Sequence, residues 1–211
     1  MSMSLLSKKF YYQKDFKSKF NVEYLVSSYT NNDQLKNWDI RKDKEYTVNP
    51  GLNDQLEKRY GALIEMGYTA KIGVKLVSKQ VGYGAYAQQD IKKGDMICEY
   101  TGIIEQEAYG NDNLYLWDYP TILYENTATG RRKKITFCVN AEKTGNVARF
   151  INHSLRKYQN VGIEIIPFNN LWHVVYLAKK DIKNGEQLLT YYGKQYWKDR
   201  NIVPFTILPT I

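Results

Sequence analysis

The chain has 211 residues, 43% of them hydrophobic, which is enough for one domain, or for one domain with an extension. Its net charge of +8 makes nucleic acid a first candidate partner. No run approaches the roughly 18 apolar residues of a membrane span, and the N-terminal apolar stretch is too short for a signal peptide. Because Cys98 and Cys138 lack C-x-x-C spacing and are too few for a disulfide framework, we expect an intracellular protein without a bound metal.

Residues 1–70 are rich in charged and turn-forming residues, and we interpret them as an N-terminal extension that packs on the rest of the chain. Within them the sequence predicts a helix over Leu52–Met66. Asn53 or Asp54 is the candidate N-cap, and Gly67 is the expected stop, because glycine adopts the left-handed conformation that often ends helices.

Beyond Lys71 the chain consists of short alternating runs broken by glycine, a pattern typical of strands. The predicted strands are Ile72–Val77, Met96–Tyr100, Leu114–Trp117, Ile135–Val139, Val161–Ile166, Leu171–Leu177 and Leu188–Tyr192. No long helix separates them, which argues against parallel βαβ units. We therefore expect a mostly β fold of the β-rich α+β class.

The charges are distributed unevenly along the chain. Residues 94–130 contain seven Asp or Glu residues and no Lys or Arg, whereas the segments on either side are basic. This acidic stretch is either a solvated surface or a groove for a cationic partner such as a lysine-rich peptide. The following run Arg131–Lys134 is interpreted as a charged hairpin tip, with a nuclear localisation signal as the alternative.

The segment Gly82–Ala87 reads GYGAYA and matches the G-x-G-x-x-A fingerprint of dinucleotide-binding proteins. That site requires a helix directly after the glycines, with its N-terminus facing the pyrophosphate. Only Gln88–Asp95 precedes the next predicted strand, and it contains Gly94, so the helix has no room. The glycines instead predict a turn at which the backbone approaches a ligand, or an ordinary β-turn.

Four segments together carry a more specific signal, namely VGYGAYA (81–87), IKKGDMICEYTG (91–102), NVARFINHS (146–154) and LAKKDIKNGEQLLTYYG (177–193). Their order and spacing resemble the SET-domain family of protein lysine methyltransferases over about residues 72–197. The family signature Gly-Asn-x-x-Arg-Phe-Ile-Asn-His-Ser occurs whole at Gly145–Ser154. The glycine–aromatic–glycine turn is matched by Gly82–Gly84, and the final Tyr-Gly by Tyr192 and Gly193.

The resemblance implies a SET-domain fold of several small sheets around a knot-like core. The SET domain would occupy residues 71–193, between the extension at 1–70 and a closing segment at 194–211. It also implies S-adenosylmethionine as the cofactor and no metal. The cofactor-binding residues implied by the resemblance are Gly82, Tyr83, Gly84, Tyr115, Arg149, Phe150, Asn152, His153, Tyr192 and Trp197.

The resemblance further implies that Tyr192 and Tyr115 are catalytic, although ordinary strand packing is the alternative role for Tyr115. The lysine channel would be lined by Tyr100, Ile151, Thr190 and Tyr191. Methyl transfer to an amine is an in-line displacement whose obstacle is the proton on lysine, with a free pKa of about 10.4. Burial in an aromatic channel disfavours the ammonium ion, and a tyrosine hydroxyl can orient the amine.

The chain departs from the family pattern in its C-terminal part. Leu155 stands where many relatives have cysteine, and the cysteine-rich, zinc-binding tail of those relatives is not expected here. Instead, Trp197 or Tyr196 is expected to pack against the adenine, as in compact relatives, or to anchor the tail. Thr190 stands where relatives have a Phe or Tyr that limits methylation. The smaller residue indicates di- or trimethylation unless another side chain fills the space.

The sequence thus predicts an S-adenosylmethionine-dependent protein-lysine N-methyltransferase that acts on histones or histone-like basic proteins. The expected location is the nucleus or cytoplasm, or a host nucleus if the source is a bacterial pathogen. The alternative is a catalytically weak SET-like module that binds a basic protein, and a nucleic-acid binder that uses the basic flanks is a third hypothesis. No membrane partner is expected, and the oligomeric state is left open.

Overall fold

The computed structural model describes residues 9–107 and 113–199, with backbone alone for residues 195 and 199. Parts of the predicted extension and closing segment, at residues 1–8 and 200–211, lie outside the described residues. Residues 108–112 of the acidic stretch also lie outside them.

Apart from one helix of 16 residues, the described helices are short, and they lie mainly in the extension and at the end of the described chain. They are α1 (Phe16–Phe20), α2 (Asp33–Lys36), α3 (Lys44–Val48), α4 (Pro50–Glu65) and α5 (Lys194–Asp199). Single turns of 3-10 helix occur at Gln13–Asp15, Ile40–Lys42 and Val147–Phe150. In the part of the chain that the structure describes, no helix is long and apolar enough to cross a membrane.

The helix predicted over Leu52–Met66 is confirmed as α4, but its N-cap is Asn49 rather than Asn53 or Asp54. The Asn49 side chain accepts a hydrogen bond from a backbone N–H of the first turn at 3.2 Å. Pro50 fits this first turn because the N–H that proline lacks would have no helical partner there. The expected glycine stop is confirmed, since the glycine after the helix has a φ of +61°.

Strands make up most of the remaining chain. The described residues contain β1 (Glu23–Tyr24), β2 (Tyr29–Thr30), β3 (Ile72–Ser78), β4 (Gly82–Ala87), β5 (Met96–Glu99), β6 (Ile103–Gln106), β7 (Leu116–Asn126), β8 (Arg132–Asn140), β9 (Thr144–Gly145), β10 (Asn152–His153), β11 (Val161–Phe168), β12 (Leu171–Ala178) and β13 (Leu189–Thr190). They form small sheets with the orders β3-β4, β2-β6-β8-β7, β11-β12-β5, β1-β9 and β10-β13. The prediction of a mostly β fold built from several small sheets is confirmed.

All seven predicted strands are found with bounds that differ at one or both ends, and two of these differences and one unpredicted strand bear on the site. The strand expected at Leu114–Trp117 is β7, which starts two residues later and is much longer. It is an edge strand, so it tolerates Pro120, whose missing N–H needs no ladder partner. The segment expected as a glycine turn is β4, paired antiparallel with β3. The last predicted strand, Leu188–Tyr192, is reduced to the two residues of β13.

The charged run Arg131–Lys134 lies at the tip of the β7–β8 hairpin, as expected, and its side chains are exposed. The hairpin closes with a hydrogen bond from Thr127 N to Arg131 O at 2.8 Å. Arg132 also places its guanidinium carbon 4.9 Å from the ring centre of Tyr124, across the two strands.

The extension shares a hydrophobic core with the rest of the chain. Phe16 and Leu35 are fully buried in the same cluster as Ile97 and Phe137. In addition, β1 pairs in parallel with β9, and β2 pairs in parallel with β6. The extension therefore completes sheets whose other strands lie between residues 103 and 145.

Asp43, in the extension, is a buried carboxylate that joins three elements. It is 5% exposed. Its Oδ1 accepts a hydrogen bond from Trp38 Nε1 at 2.8 Å. Its Oδ2 accepts from Thr121 Oγ1 on β7 at 2.6 Å and from Trp172 Nε1 on β12 at 2.7 Å. Three side-chain donors thus depend on one residue.

We expect the substitution Asp43→Ala to lower the free energy of unfolding by about 3 kcal/mol or more, because buried donors left without an acceptor cost about 1–3 kcal/mol each. Urea unfolding at neutral pH measures this loss. Asp33→Ala is the matched control, since the Asp33 side chain is 87% exposed. Equal losses in the two variants would show that the hydrogen bonds of Asp43 do not stabilise the fold.

The segment around His153 crosses the C-terminal segment of the chain. β10 runs parallel to β13, and Ser154 N donates a hydrogen bond to Thr190 O at 2.8 Å. Asn160 secures the crossing, because its side chain donates to Gln187 O at 2.9 Å and accepts from Leu189 N at 2.8 Å. This crossing places the Asn-His pair beside the tyrosines that follow β13.

Candidate functional site

A cavity of about 550 Å³ lies where β4, the turn Val147–Phe150, the start of β7 and α5 meet. More than half of the residues that line it are aromatic. Its volume lies within the range of roughly 300–1,000 Å³ that is usual for small-molecule sites. The cavity is therefore large enough for a ligand of nucleoside size or more.

Strand β4 forms one wall of the cavity, and its two glycines have different roles. Gly82 has a φ of +79°, a conformation that other residues rarely adopt. Gly84 is closely packed, since a Cβ atom built on it would lie 2.6 Å from Gln187 Nε2 and 3.0 Å from Asn152 Nδ2. The absence of a side chain lets Asn152 reach the strand and donate to Tyr83 O at 3.0 Å.

The turn Val147–Phe150 is anchored to the core by Asn146. The side chain of Asn146 accepts a hydrogen bond from the second N–H of the turn at 3.0 Å and donates to Glu99 O at 2.8 Å. The buried Ile151 follows the turn, and β10 comes next. This arrangement brings to the cavity wall the residues Arg149, Phe150, Asn152 and His153.

Arg149 places a positive charge on the cavity wall. Its guanidinium carbon lies 3.8 Å from the ring centre of Tyr115, and its Nη1 donates to Glu142 O at 2.8 Å. Its Nε is buried and has no hydrogen-bond partner among the described residues. No described carboxylate forms a salt bridge with this guanidinium, so it is available to bind an anionic group of a ligand.

His153 is buried between aromatic rings. Its ring centre lies 5.4 Å from that of Tyr192 and 4.9 Å from that of Trp197. Burial lowers the pKa of the imidazole. Its Nδ1 accepts a hydrogen bond from Tyr192 N at 3.2 Å, which requires that nitrogen to carry no proton. His153 is thus a neutral hydrogen-bond acceptor in the wall of the cavity.

Besides Tyr83, the cavity is lined by five tyrosines from four segments of the chain, which we call the tyrosine cluster. Its members are Tyr100, Tyr115, Tyr176, Tyr192 and Tyr196. Burial raises the pKa of Tyr100, Tyr176 and Tyr192. Their hydroxyl groups therefore stay protonated near neutral pH and act as hydrogen-bonding groups rather than as bases.

Helix α5 closes one side of the cavity with two aromatic rings. The Trp197 ring stacks on that of Tyr192, with ring centres 5.9 Å apart and an angle of 15° between the planes. Tyr196 meets Tyr192 edge-on at 4.8 Å. Trp197 Nε1 is buried and has no hydrogen-bond partner among the described residues.

The family model described as the SET domain matches residues 82–193, just over half of the chain. The chain belongs to the SET-domain family. All but five of the residues that line the cavity lie within the matched range, among them those of β4, the turn Val147–Phe150, β10 and Tyr192.

Named SET-domain relatives include N-lysine methyltransferase KMT5A of Xenopus tropicalis, which is 32% identical over 145 residues, or 67% of this chain and 42% of the relative. Histone-lysine N-methyltransferase SUVR4 of Arabidopsis thaliana is 27% identical over 144 residues, or 62% of this chain and 28% of the relative. The crystal structure of ATXR5 in complex with histone H3.1 has a TM-score of 0.58 and 19% identity, and 86% of each chain is covered. It shows the shared fold. The chain spans about two fifths or less of the length of these two curated relatives.

Most residues expected in the SET-domain site come together in the structure. The expected residues that line the cavity are Gly82, Tyr83, Tyr100, Tyr115, Arg149, Phe150, Asn152, His153, Tyr192 and Trp197. Gly84 lies directly behind the wall, where it makes room for Asn152.

The other three expected residues, all assigned to the lysine channel, do not line the cavity. Ile151 is buried, and its carbonyl oxygen accepts a hydrogen bond from Tyr192 Oη at 2.8 Å. Thr190 is buried in β13 opposite His153. Tyr191 is half-buried, and the guanidinium carbon of Arg156 lies 4.4 Å from its ring centre.

Eight lining residues were not expected from the sequence of this SET domain and its extension. They are Phe20, Gln80, Val81, Leu114, Leu116, Trp117, Ala148 and Tyr176. Trp117 could have been predicted to line the cavity, because it lies two residues after Tyr115, and side chains two residues apart along a strand share one face. Phe20 and Tyr176 belong to no motif, and only the tertiary fold brings them to the cavity.

His153 should make stability depend on pH. The imidazole titrates near 6.5 in the unfolded chain, whereas burial lowers its pKa in the fold, so below about pH 6.5 the unfolded state binds more protons. We expect the free energy of unfolding to fall as the pH drops through this window, by at most about 1.4 kcal/mol per unit for one proton. Urea unfolding between pH 7.5 and 5 measures it. The slope should be smaller in His153→Asn, and identical slopes would contradict the assignment.

Proposed function

We propose that this chain is an S-adenosylmethionine-dependent protein-lysine N-methyltransferase acting on basic, histone-like proteins. The observation that carries the proposal is one cavity in which the β4 glycine segment, the Asn-His segment and the tyrosine cluster meet. The relatives are named N-lysine and histone-lysine methyltransferases, and they align with this chain over part of their length.

The cavity fits this cofactor in its chemistry as well as in its size. Arg149 offers an uncompensated cation to the carboxylate of the cofactor, and Asn152 offers a polar side chain. The rings of Tyr83 and Trp197 offer flat apolar surfaces to the adenine. Gly84 is packed so closely that any side chain at this position would displace this wall.

When bound, S-adenosylmethionine supplies a methyl group on a positively charged sulphur, already activated for transfer to an amine. The aromatic rings attract the lysine cation on entry and pack against its aliphatic stem. Inside, burial disfavours the ammonium ion, so its proton leaves to water. The buried tyrosines stay protonated, so they orient the amine instead of accepting that proton. This alignment of a neutral amine is the contribution of the chain to catalysis.

A basic substrate is supported by acidic residues beside the cavity. Glu105 on β6 and Asp118 on β7 both lie opposite Cys138 on β8, so they share one face of the sheet. Leu116, which lies two residues before Asp118 on β7 and on the same face, lines the cavity. Glu99 does not contribute to this surface. It is 2% exposed and pairs with His173, with 3.0 Å between Oε1 and Nδ1.

The test is to incubate the purified chain with methyl-labelled S-adenosylmethionine and core histones, and to identify labelled residues by mass spectrometry. Calorimetry with S-adenosylhomocysteine measures cofactor binding in parallel. Label on lysine side chains supports the proposal. A folded chain that binds no cofactor contradicts it, and cofactor or histone binding without transfer supports the catalytically weak module. The location in the nucleus or cytoplasm stays a prediction.

A further inference from the structure

A second cavity, of about 510 Å³, lies where β3 and β4 meet the segments that lead into β11 and β13. It shares no lining residue with the cavity described above. Its volume also lies within the range of roughly 300–1,000 Å³ that is usual for small-molecule sites. It is therefore a separate candidate site, and the proposed methyl transfer makes no use of it.

The second cavity is positively charged. Lys75 on β3 and Lys180 after β12 line it, and no described carboxylate forms a salt bridge with either lysine. Lys157 lies beside it, with its Nζ 4.7 Å from the ring centre of Tyr158, which is a lining residue. Glu186 is the one acidic residue among those that line this cavity, and its Oε1 already accepts a backbone N–H at 3.1 Å. The balance of charge favours an anionic ligand.

Tyr86 adds a hydrogen-bond donor to the two lysines. The residue is 6% exposed and lines the second cavity, and its hydroxyl makes no hydrogen bond with any described residue. Its oxygen is not among the fully buried atoms without a partner, so the exposed part of the side chain opens to this cavity. Burial raises the pKa of Tyr86, so the hydroxyl keeps its proton and can donate it. Lys75 Nζ lies 4.1 Å from the Tyr86 ring centre, which places the ammonium and the hydroxyl side by side.

The floor of the second cavity is polar as well. Gln187 lines it and is 8% exposed, and both amide atoms of its side chain are buried without a described hydrogen-bond partner. Gln187 is adjacent to Tyr86, because the two residues form an antiparallel β-bridge. Buried polar groups are normally paired. Two neighbouring residues with unpaired groups at one cavity therefore indicate a ligand site.

We propose that the second cavity binds the phosphate group of a nucleotide, either free or at the 5′ end of a nucleic-acid strand. The two lysines and the Tyr86 hydroxyl are all donors, and an ionised phosphate offers only acceptors to them. Two ammonium groups also match the charge of about −2 that a phosphate monoester carries near neutral pH. Phosphate alone would fill a small part of the cavity. The ring of Tyr158 offers the remaining space an aromatic surface for a base.

Calorimetric titration tests the proposal. The probes are the four ribonucleoside 5′-monophosphates, uridine and inorganic phosphate. Each titration is repeated with excess S-adenosylhomocysteine, because a nucleoside could enter the first cavity instead. Lys75→Met and Tyr86→Phe each remove one donor and keep the stem or the ring. Lys58→Met is the matched control, since Lys58 is an exposed lysine of α4 that lines neither cavity. Urea unfolding midpoints check that the variants fold.

We expect at least one nucleotide to bind, with inorganic phosphate and uridine at least about tenfold weaker than the nucleotides. Lys75→Met and Tyr86→Phe should each weaken nucleotide binding at least about tenfold, because hydrogen bonds to charged groups contribute about this much. Lys58→Met should bind like the wild type. The absence of nucleotide binding, displacement of the nucleotide by S-adenosylhomocysteine, or unchanged affinity in folded Lys75→Met and Tyr86→Phe would each overturn the proposal.

A second comparison identifies the source of the phosphate. A single-stranded oligonucleotide with a 5′ phosphate is titrated beside the same strand without it. If the phosphorylated strand binds at least about tenfold more tightly than both the bare strand and the mononucleotide, the second cavity holds a nucleic-acid end. If the phosphate adds no affinity to the strand while the mononucleotide binds, the second cavity holds a free nucleotide.

Discussion

Replacing Tyr192 by phenylalanine should lower kcat for methyl transfer at least about 100-fold, while the affinity for S-adenosylhomocysteine stays within about threefold. The hydroxyl proton is donated to Ile151 O, so the lone pairs of the oxygen remain available to orient the incoming amine. The ring is fixed by its stack with Trp197 and its edge contact with Tyr196. Phenylalanine keeps both ring contacts, so the change isolates the oxygen.

Single-turnover transfer to core histones measures this effect without interference from product release. Tyr191→Phe is the matched control, because Tyr191 is the neighbouring tyrosine and does not line the cavity. It should retain most of the activity. Full activity in Tyr192→Phe, or an equal loss of activity in the two variants, would show that the Tyr192 hydroxyl is not catalytic.

The substitution Gly84→Ala should weaken cofactor binding at least about 100-fold, equivalent to about 2.7 kcal/mol. The added methyl group would lie 2.6 Å from Gln187 Nε2 and 3.0 Å from Asn152 Nδ2, distances that real Cβ contacts avoid. Asn152 would have to move away from β4, and its hydrogen bond to Tyr83 O would be lost. Both residues of that bond line the cavity, so the wall itself would change shape.

Calorimetric titration with S-adenosylhomocysteine measures the loss. Gly51→Ala is the control, because a Cβ atom on Gly51 meets nothing within 4 Å, and alanine is favoured over glycine in a helix such as α4. That variant should bind the cofactor like the wild type. Normal affinity in Gly84→Ala would show that the close packing behind β4 is not needed for binding.

The wall of the cavity around Asn152 and His153 was predictable because its residues are contiguous in sequence. The turn Val147–Phe150 and β10 form one short segment that the family signature identifies in the sequence, so the side chains that it brings to the cavity could be named together. The same holds for Tyr192 and Trp197, which lie five residues apart near the end of the described chain. Their roles toward a cofactor stay predictions until binding is measured.

The remaining wall could not be predicted because it depends on contacts between distant segments. Phe20 comes from the extension and meets Tyr83 edge-on at 5.0 Å, a contact that no local periodicity encodes. Tyr176 ends a run of buried residues, 172–176, in β12, so alternation along this strand does not distinguish a core position from a cavity position. The charge pattern also could not separate surface from core. Glu99 belongs to the acidic stretch, yet it is buried and pairs with a core histidine.

The parallel pairing of β1 with β9 joins Glu23 to Thr144, so the partner strand is synthesised more than a hundred residues later. Strands β1 and β2 therefore leave the ribosome before their partner strands, and they can form their ladder hydrogen bonds only after β9 and β6 have followed. Folding dominated by such distant pairs is slow. A recombinant fragment beginning at residue 71 would leave the edges of β6 and β9 open to strands of other molecules, which invites aggregation during expression.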